Sequence, residues 1–198
     1  MASGDEAAIQ LLRAGDEAAF TTLVEQYHTR LVRFAMTFVT SRAAAEDVAQ
    51  DTWAAVVAGL SRFEGRSSLK TWIFQICANR ARSHAGRERR TVPVAPTEPT
   101  VDPARFNQSG AWSYPPEPWP SVDDRLEADA LAPLVRAAID RLPEVQSQVV
   151  TLRDVEGLSA REVCDVLSIS EVNQRVLLHR GRARVRSEIE RGLGQVPS

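Results

Sequence analysis

Cysteine is scarce: Cys77 and Cys164 are the only two in 198 residues, with no CxxC or HxxxC spacing around either. That excludes a zinc site or a disulfide framework on sequence grounds, so both are read as reduced, packed thiols and no metal is expected. Histidine is as sparse. His28, His84 and His179 stand in separate contexts, no nucleophile elbow or glycine-rich phosphate loop is present, and the acids do not converge. No enzyme, cofactor or small-molecule substrate is therefore expected. No segment reaches 18 apolar residues, and the start MASGDEAAIQLLRAGDEAAF has no basic stretch ahead of an apolar run. Membrane insertion and export are excluded on that reading, and the location is read as cytoplasmic. Net charge is missing too: at −2, any binding to nucleic acid has to come from local patches.

One such patch closes the chain. From Arg175 onward there are six Arg against two Glu, whereas 127–198 as a whole holds 10 Arg and 11 acids, so the positive charge is concentrated at the end. It belongs to the stretch GLSAREVCDVLSISEVNQRVLLHRGRARVR, Gly157 to Arg186. Ser159-x-x-Glu162 is a capping box that marks the start of a first helix, with Val163, Val166 and Leu167 at helical spacing. Ser168-Ile169-Ser170 interrupts the pattern, and Ser170 is the natural N-cap of a second helix carrying Arg175, Arg180, Arg182, Arg184 and Arg186. Helix, tight turn and basic helix together read as a helix-turn-helix for duplex DNA. The plainer alternative is a solvated, Arg-rich helix face.

The N-terminal half has a different balance. A short helix from Asp5 closes at Gly15, and Asp16 caps a longer one whose Phe20, Leu23, Val24, Tyr27, Leu31, Phe34 and Phe38 form one apolar stripe. Ser41 opens the next helix, with Val48, Trp53, Val56, Val57 and Leu60 facing inward and Glu46, Asp47, Gln50 and Asp51 together on the other face. Those acids have no His or facing acid beside them, so they read as a docking face for a basic partner rather than a catalytic group. Phe63-Glu64-Gly65-Arg66-Ser67-Ser68 is a loop, and Ser67 or Ser68 caps a helix through Leu69, Trp72, Ile73, Ile76 and Cys77. Lys70, Asn79, Arg80 and Arg82 lie on its polar side, the mixture of cations and amides that grips single-stranded nucleic acid. A basic helix end favoured by the helix dipole is the alternative.

Between the halves the composition changes. Residues 91–122 hold eight of the eleven prolines and no helical period, and they also carry Phe106, Trp112, Tyr114 and Trp119. An extended linker that lies along another surface is the expectation. Helices resume near Asp123, one kinked or restarted at Pro133 and one begun by Pro143 and ended at Gly157. The fold class is all-α, two small helical domains at 5–90 and 123–192 joined by a Pro-rich extended linker, the second a helix-turn-helix.

Taken in order, AEDVAQDTWAAV, FEGRSSLKTWIFQICANRAR and the preceding FTTLVEQYHTRLVRFA resemble region 2, and IDRLPEVQSQVVTLRDVEGLSAREVCDVLSIS resembles region 4, of the extracytoplasmic-function branch of the bacterial sigma factor family. The resemblance spans nearly the whole chain outside the linker. It implies a dissociable specificity subunit of RNA polymerase with no bond chemistry of its own, whose partners are core polymerase, promoter DNA and an anti-sigma factor.

Carried over by position, the resemblance places Glu46, Asp47, Gln50 and Asp51 on the clamp helices of the largest polymerase subunit, while region 4 would meet the flap of the second-largest. Phe63, Glu64, Gly65, Arg66 and Ser67 would form the loop that captures a flipped base of the minus-ten element, and Lys70, Asn79, Arg80 and Arg82 would line the non-template strand. Trp72 reads as mainly core. In region 4, Ser170, Asn173, Gln174, Arg175, Val176, His179, Arg180 and Arg182 would meet the minus-thirty-five element, with Arg180 and Arg182 on phosphates. Relatives commonly carry Gly-Thr-Val-Lys-Ser-Arg-Leu after the Ser-Glu pair, where this chain has Val172-Asn173-Gln174-Arg175-Val176-Leu177-Leu178. If Leu178 is buried, Gln174, Gly181 and Val185 point inward and Asn173, Val176 and Arg180 outward, with Arg175 and His179 at the flanks. Asn173 or Gln174 would read an adenine edge and Val176 a thymine methyl, giving an atypical minus-thirty-five preference. The reading from another class is a stand-alone helix-turn-helix regulator whose N-terminal half senses a partner.

Overall fold

Short polar side chains set where the helices begin. In the computed structural model, which describes residues 2–91 and 125–193, α1 (Ala2–Arg13) stops at Gly15, whose φ of 79° suits glycine. Asp16 then caps α2 (Glu17–Ala35) by accepting from the Ala19 N–H at 2.9 Å. Ser41 caps α3 (Arg42–Gly59), accepting from Ala44 at 3.1 Å. Of the two candidate serines, Ser68 caps α4 (Leu69–Thr91), its hydroxyl accepting from the Thr71 N–H at 3.1 Å. The expected linker, with Phe106, Trp112, Tyr114 and Trp119, lies outside the described residues apart from Thr91.

α2, α3 and α4 bury Leu31, Phe34, Val48, Val56, Ile73 and Phe74 against one another. Each such side chain contributes about 1.5–3 kcal/mol on removal from water, which holds α3 and α4 in fixed relative positions. Two expectations needed correction. α2 ends at Ala35, short of Phe38, because the Thr37 hydroxyl donates to the Phe34 carbonyl at 2.7 Å and the chain turns; Phe38 is still buried, from the loop. Val57, expected inward, is 59% exposed, because Trp53, Val56 and Leu60 already fill the inner stripe and the next position along the helix turns away from it.

The C-terminal half is also helical, and no strand occurs among the described residues. α5 (Arg125–Asp140) runs on through Pro133. α6 (Glu144–Val150) follows Pro143 and loosens into a π-helical turn, Thr151–Val155, before Gly157 at φ 69°. α7 (Ala160–Leu167) opens on the predicted capping box: the Ser159 N–H donates to Glu162 Oε2 at 2.8 Å, and the Glu162 N–H to the Ser159 hydroxyl at 3.3 Å. Ser168 in the left-handed region, φ 57° and ψ 46°, makes the turn, and Ser170 caps α8 (Glu171–Leu193) by accepting from Asn173 at 3.2 Å. α8 lies tightly on α6 at Gly181, where a Cβ would fall 2.5 Å from Val150 Cγ2.

Candidate polymerase and nucleic-acid interfaces

On α3, Asp47, Gln50 and Asp51 are exposed and Glu46 is half-buried. Glu46 is already engaged, by Arg42 at 3.3 Å and by His28 Nε2 at 3.1 Å. Trp53 Nε1 donates to the other ring nitrogen of His28 at 3.3 Å, so that nitrogen accepts and Nε2 carries the proton toward Glu46. Glu46 thus braces α3 against α2, while Asp47, Gln50, Asp51 and the exposed Val57 form the outward stripe. Val57 escaped the sequence reading because a valine in an amphipathic helix reads as core.

The loop after α3 is anchored at its ends. Phe63 is buried and packs on Trp72 with ring centroids 4.7 Å apart, so it supports the loop rather than projecting from it. The Arg13 guanidinium donates to the Phe63 carbonyl and reaches that of Leu60 at 3.5 Å, a tie from α1 with no local sequence signal. Gly65 turns at φ 72°, leaving Glu64 and Arg66 exposed and paired at 2.6 Å, with Ser67 half-buried. These groups sit at the tip of a rigidly held loop.

The predicted polar edge of α4 divides. Asn79 and Arg80 are exposed. Lys70 and Arg82 are half-buried against the C-terminal half. Lys70 Nζ donates to the Glu156 carbonyl and lies 3.5 Å from its carboxylate, which Arg30 of α2 approaches to 2.5 Å as an ion pair by proximity rather than an aligned hydrogen bond. Burial, and then the Arg30 charge, push the Lys70 ammonium below its ordinary pKa even though Glu156 opposes the shift. Arg82 donates to the Val166 carbonyl at 3.1 Å and stacks 5.9 Å over Phe38; burial lowers its pKa. Thr71 donates to Glu162 Oε1 at 2.5 Å, Ser68 reaches the same oxygen at 3.4 Å, and Gln75 donates to the Asp165 carbonyl at 3.4 Å. Farther along, Gln148 of α6 donates to the Thr37 carbonyl at 3.3 Å. Beside this contact runs a cleft of about 1420 Å³, walled by apolar side chains such as Phe38, Val39, Val135, Ile139 and Leu142.

On α8 the register follows from Leu178 being buried. Gln174, Gly181 and Val185 are buried, and Asn173 and Arg175 are exposed. Val176, His179 and Arg180 are half-buried on the flanks. Gln174 is 3% exposed, so its amide faces the protein interior and is withdrawn as a base reader; Nε2 there has no hydrogen-bond partner among the described residues. Arg182 is diverted as well. It holds Asp154 of the π-helical turn through two bonds of 2.9 and 2.5 Å, and that pairing raises its pKa against the opposing effect of burial. Val172, by contrast, is 71% exposed in the first turn, where sequence reasoning assigned it no role.

Residues 23–91 match the profile of sigma-70 region 2, and residues 133–185 that of sigma-70 region 4. The chain is 27% identical over 181 residues to the RNA polymerase sigma-H factor of Pseudomonas aeruginosa, covering 91% of each protein. It is 24% identical over 186 residues to the ECF RNA polymerase sigma-E factor of Escherichia coli K12, covering 94% of each. This chain belongs to the sigma-70 family, in its extracytoplasmic-function branch. Its role is that of a sigma factor, which replaces the stand-alone regulator as a reading of the N-terminal half.

Two solved structures share the fold. CnrH in complex with the cytosolic domain of CnrY superposes with a TM-score of 0.58 at 20% identity, over 94% of this sigma factor and 97% of that chain. The sigma factor RpoE in complex with the anti-sigma factor NepR from Bartonella quintana gives 0.59 at 20% identity, over 86% and 96%. Among the described residues no cluster of His, Cys, Asp and Glu is arranged to hold a metal ion, and no helix is long and apolar enough to cross a membrane.

Proposed function

We propose that this sigma factor docks on core polymerase through the α3 stripe and reads promoter DNA at two places. One is the Glu64–Ser67 loop with the polar edge of α4; the other is the exposed first turns of α8. The observation that carries the proposal is the outward stripe Asp47, Gln50, Asp51 and Val57, a mixed acidic and apolar surface on the helix that leads into the anchored loop. Glu46 supports that stripe from behind, toward the polymerase clamp helices, and region 4 would face the flap. Glu64, Gly65, Arg66 and Ser67 would hold an unpaired base of the minus-ten element, with Phe63 as their foundation. Trapping such a base offsets an unstacking cost of a few kcal/mol, so the protein needs no bond chemistry and acts as an initiation factor rather than an enzyme. Lys70, Asn79, Arg80 and Arg82 would follow the non-template strand.

In region 4 the readers would be Asn173, Arg175 and Val176, with Val172 added as an exposed methyl-bearing side chain suited to a thymine methyl. Ser170, His179 and Arg180 would lie at the edges of that contact. The boundaries that go with this reading are 5–90 for region 2, 91–122 for the linker and 123–192 for region 4. A cytoplasmic location, a specialised regulon and control by an anti-sigma factor complete it; the last is supported by the NepR-bound relative.

The test is transcription from a genomic promoter library by core polymerase supplemented with this chain, with permanganate probing of unpaired thymines. Promoter-specific melting is expected. Absence of an open complex at every promoter would refute the proposal. Charge reversal at Asp47 and Asp51 should reduce core binding, leaving the fold intact.

A further inference from the structure

The loop after α3 leaves that helix through a short 3-10 turn, Leu60–Arg62, and Phe63 follows in an extended conformation with φ −68° and ψ 115°. The last carbonyls of a helix have no partner within it and favour a cation. Here the carbonyls at the two ends of the turn, Leu60 and Phe63, are both reached by one guanidinium, that of Arg13 in the last turn of α1, 47 and 50 residues away. The Phe63 carbonyl belongs to the planar peptide that leads into Glu64, so a bond to it sets the direction in which the loop tip departs. The tip cannot set this for itself, because Glu64 and Arg66 are exposed and bonded to each other. The other side of the loop entry is apolar: Phe63 packs on Trp72, and Gly59 lies so close to the same ring that a Cβ there would fall 3.1 Å from Trp72 Cζ2. α1 is itself well held. Leu12 is buried in the shared core, Ile9 packs against it, and the Ala14 and Asp16 N–H groups bond back to Gln10 and Leu11 at 3.0 and 3.1 Å. Yet α1 lies ahead of the stretch that matches sigma-70 region 2.

We propose that Arg13 is a positioning residue for minus-ten recognition: through the Leu60 and Phe63 carbonyls, α1 holds the Glu64–Ser67 loop in the conformation that receives an unpaired base. This rests on the reading of that loop as a base-capture site. Arg13 acts through the backbone and not on the base. Its planar fork spans two acceptors at once, which the single ammonium of a lysine does not. A loop held in its receptive form before DNA arrives does not have to be ordered when the base is bound. If the unbraced loop adopted that form about one tenth of the time, its apparent affinity for the captured base would fall about tenfold. Contacts made elsewhere along the strand, by Asn79 and Arg80 among others, would keep their strength.

The test separates positioning from plain stability. Core polymerase carrying the full-length chain is bound to fork-junction DNA from a promoter that the library transcription identifies, and an abasic site is moved through the minus-ten positions to find the captured base. Arg13→Ala should weaken binding of the intact probe about tenfold and leave binding of the probe abasic at that position unchanged. Arg13→Lys should recover part of the loss. Leu12→Ala, which loosens α1 while keeping Arg13, should reproduce the same selective loss. In the free protein the Phe63 amide, which donates to the Leu60 carbonyl at 3.2 Å, should exchange about tenfold faster in Arg13→Ala, while the Trp72 amide of α4 keeps its rate. A loss shared equally by intact and abasic probes overturns the proposal, since a phosphate contact or a general loss of stability would weaken both. Unchanged Phe63 exchange or unchanged binding of the intact probe in Arg13→Ala overturns it as well. An unmodified chain that melts promoters yet shows no cost at any abasic position overturns the capture loop itself and this proposal with it. That failure appears without any substitution, whereas failure of the positioning role appears only in the variants.

Discussion

Replacing Gln174 with Met should make region 4 more stable and leave its promoter preference unchanged. Gln174 occupies the position one turn before Leu178 on the buried face of α8, and its Nε2 is enclosed without a hydrogen-bond partner among the described residues. A buried donor left unsatisfied costs about 1–3 kcal/mol, whereas a near-isosteric apolar replacement costs less than about 1.5 kcal/mol in misfit. The balance favours Met by roughly 1 kcal/mol, and for a domain of this size each kcal/mol moves the melting temperature by about 4–8 °C. Gln146, on the facing helix α6, carries a buried Oε1 in the same condition, so Gln146→Met should stabilise as well. If the two amides are independent the gains add; a coupling energy in the double variant would mean that they serve each other.

Tryptophan fluorescence is a poor reporter of this change, since Trp53 and Trp72 lie in the N-terminal half, Trp112 and Trp119 fall outside the described residues, and 125–193 contains no tryptophan. Amide exchange in α6 and α8, with far-ultraviolet circular dichroism across a urea titration, can follow it. Loss of more than about 1 kcal/mol in Gln174→Met would refute the account of burial. A changed minus-thirty-five selection at unchanged stability would refute the register, returning Gln174 to the DNA surface.

Three further outcomes follow from the same contacts. Arg175→Ala should flatten the dependence of region 4 DNA binding on log salt by about one unit, while Arg182→Ala should leave that slope alone and lower stability by at most about 1 kcal/mol, as expected for a partly exposed pair with Asp154. Equal slope changes for both would place Arg182 on a phosphate after all. Burial pushes the Cys77 thiol up to about 12, and Cys164, more accessible, is also raised, by burial and by the charges of Glu171 and Asp165. A disulfide reagent at neutral pH should therefore modify Cys164 slowly and Cys77 only on unfolding; rapid reaction of either would reveal a redox-active site. For Glu162, burial alone would raise the pKa, but bonds from Thr71, Ser159 and Ser68 hold the carboxyl below its ordinary 4.5. Its contribution is complete above that value and is lost as pH falls through the lower folded value, so exchange in the first turn of α7 should accelerate in acid, and Glu162→Gln should lack that acid limb.

The helix starts were legible because capping is local. Asp16, Ser41, Ser159 and Ser170 each accept from an N–H three residues on, and a pattern that short survives any tertiary context. The family resemblance was legible for a related reason, since it lies in ordered runs along the chain. What could not be read were pairings between distant segments. Arg182 finds Asp154 across 28 residues, and Thr71 finds Glu162 across 91. Nothing in a helical period tells whether an arginine on a basic face will meet a phosphate or a carboxylate. Val57 was misjudged because the side chain was assigned by its chemistry, whereas its position on the helix decided its burial; Gln174 follows the register that placed it inward with Leu178, not the adenine-reading role its amide suggested.

That distinction bears most on the recognition helix. The run of arginines along α8 is what first suggests DNA, yet Arg182 is committed to Asp154 and Gln174 to the interior. After Glu171, itself exposed, the side chains left exposed at the start of the helix are Val172, Asn173 and Arg175, with Val176 half-buried beside them. They occupy the segment in which this chain departs from the common family sequence. Phosphate attraction gives affinity to any duplex, whereas selection between bases depends on groups that reach base edges. Discrimination is therefore expected to concentrate in the first two turns of α8. The arginines beyond them would set how firmly, rather than where, region 4 binds.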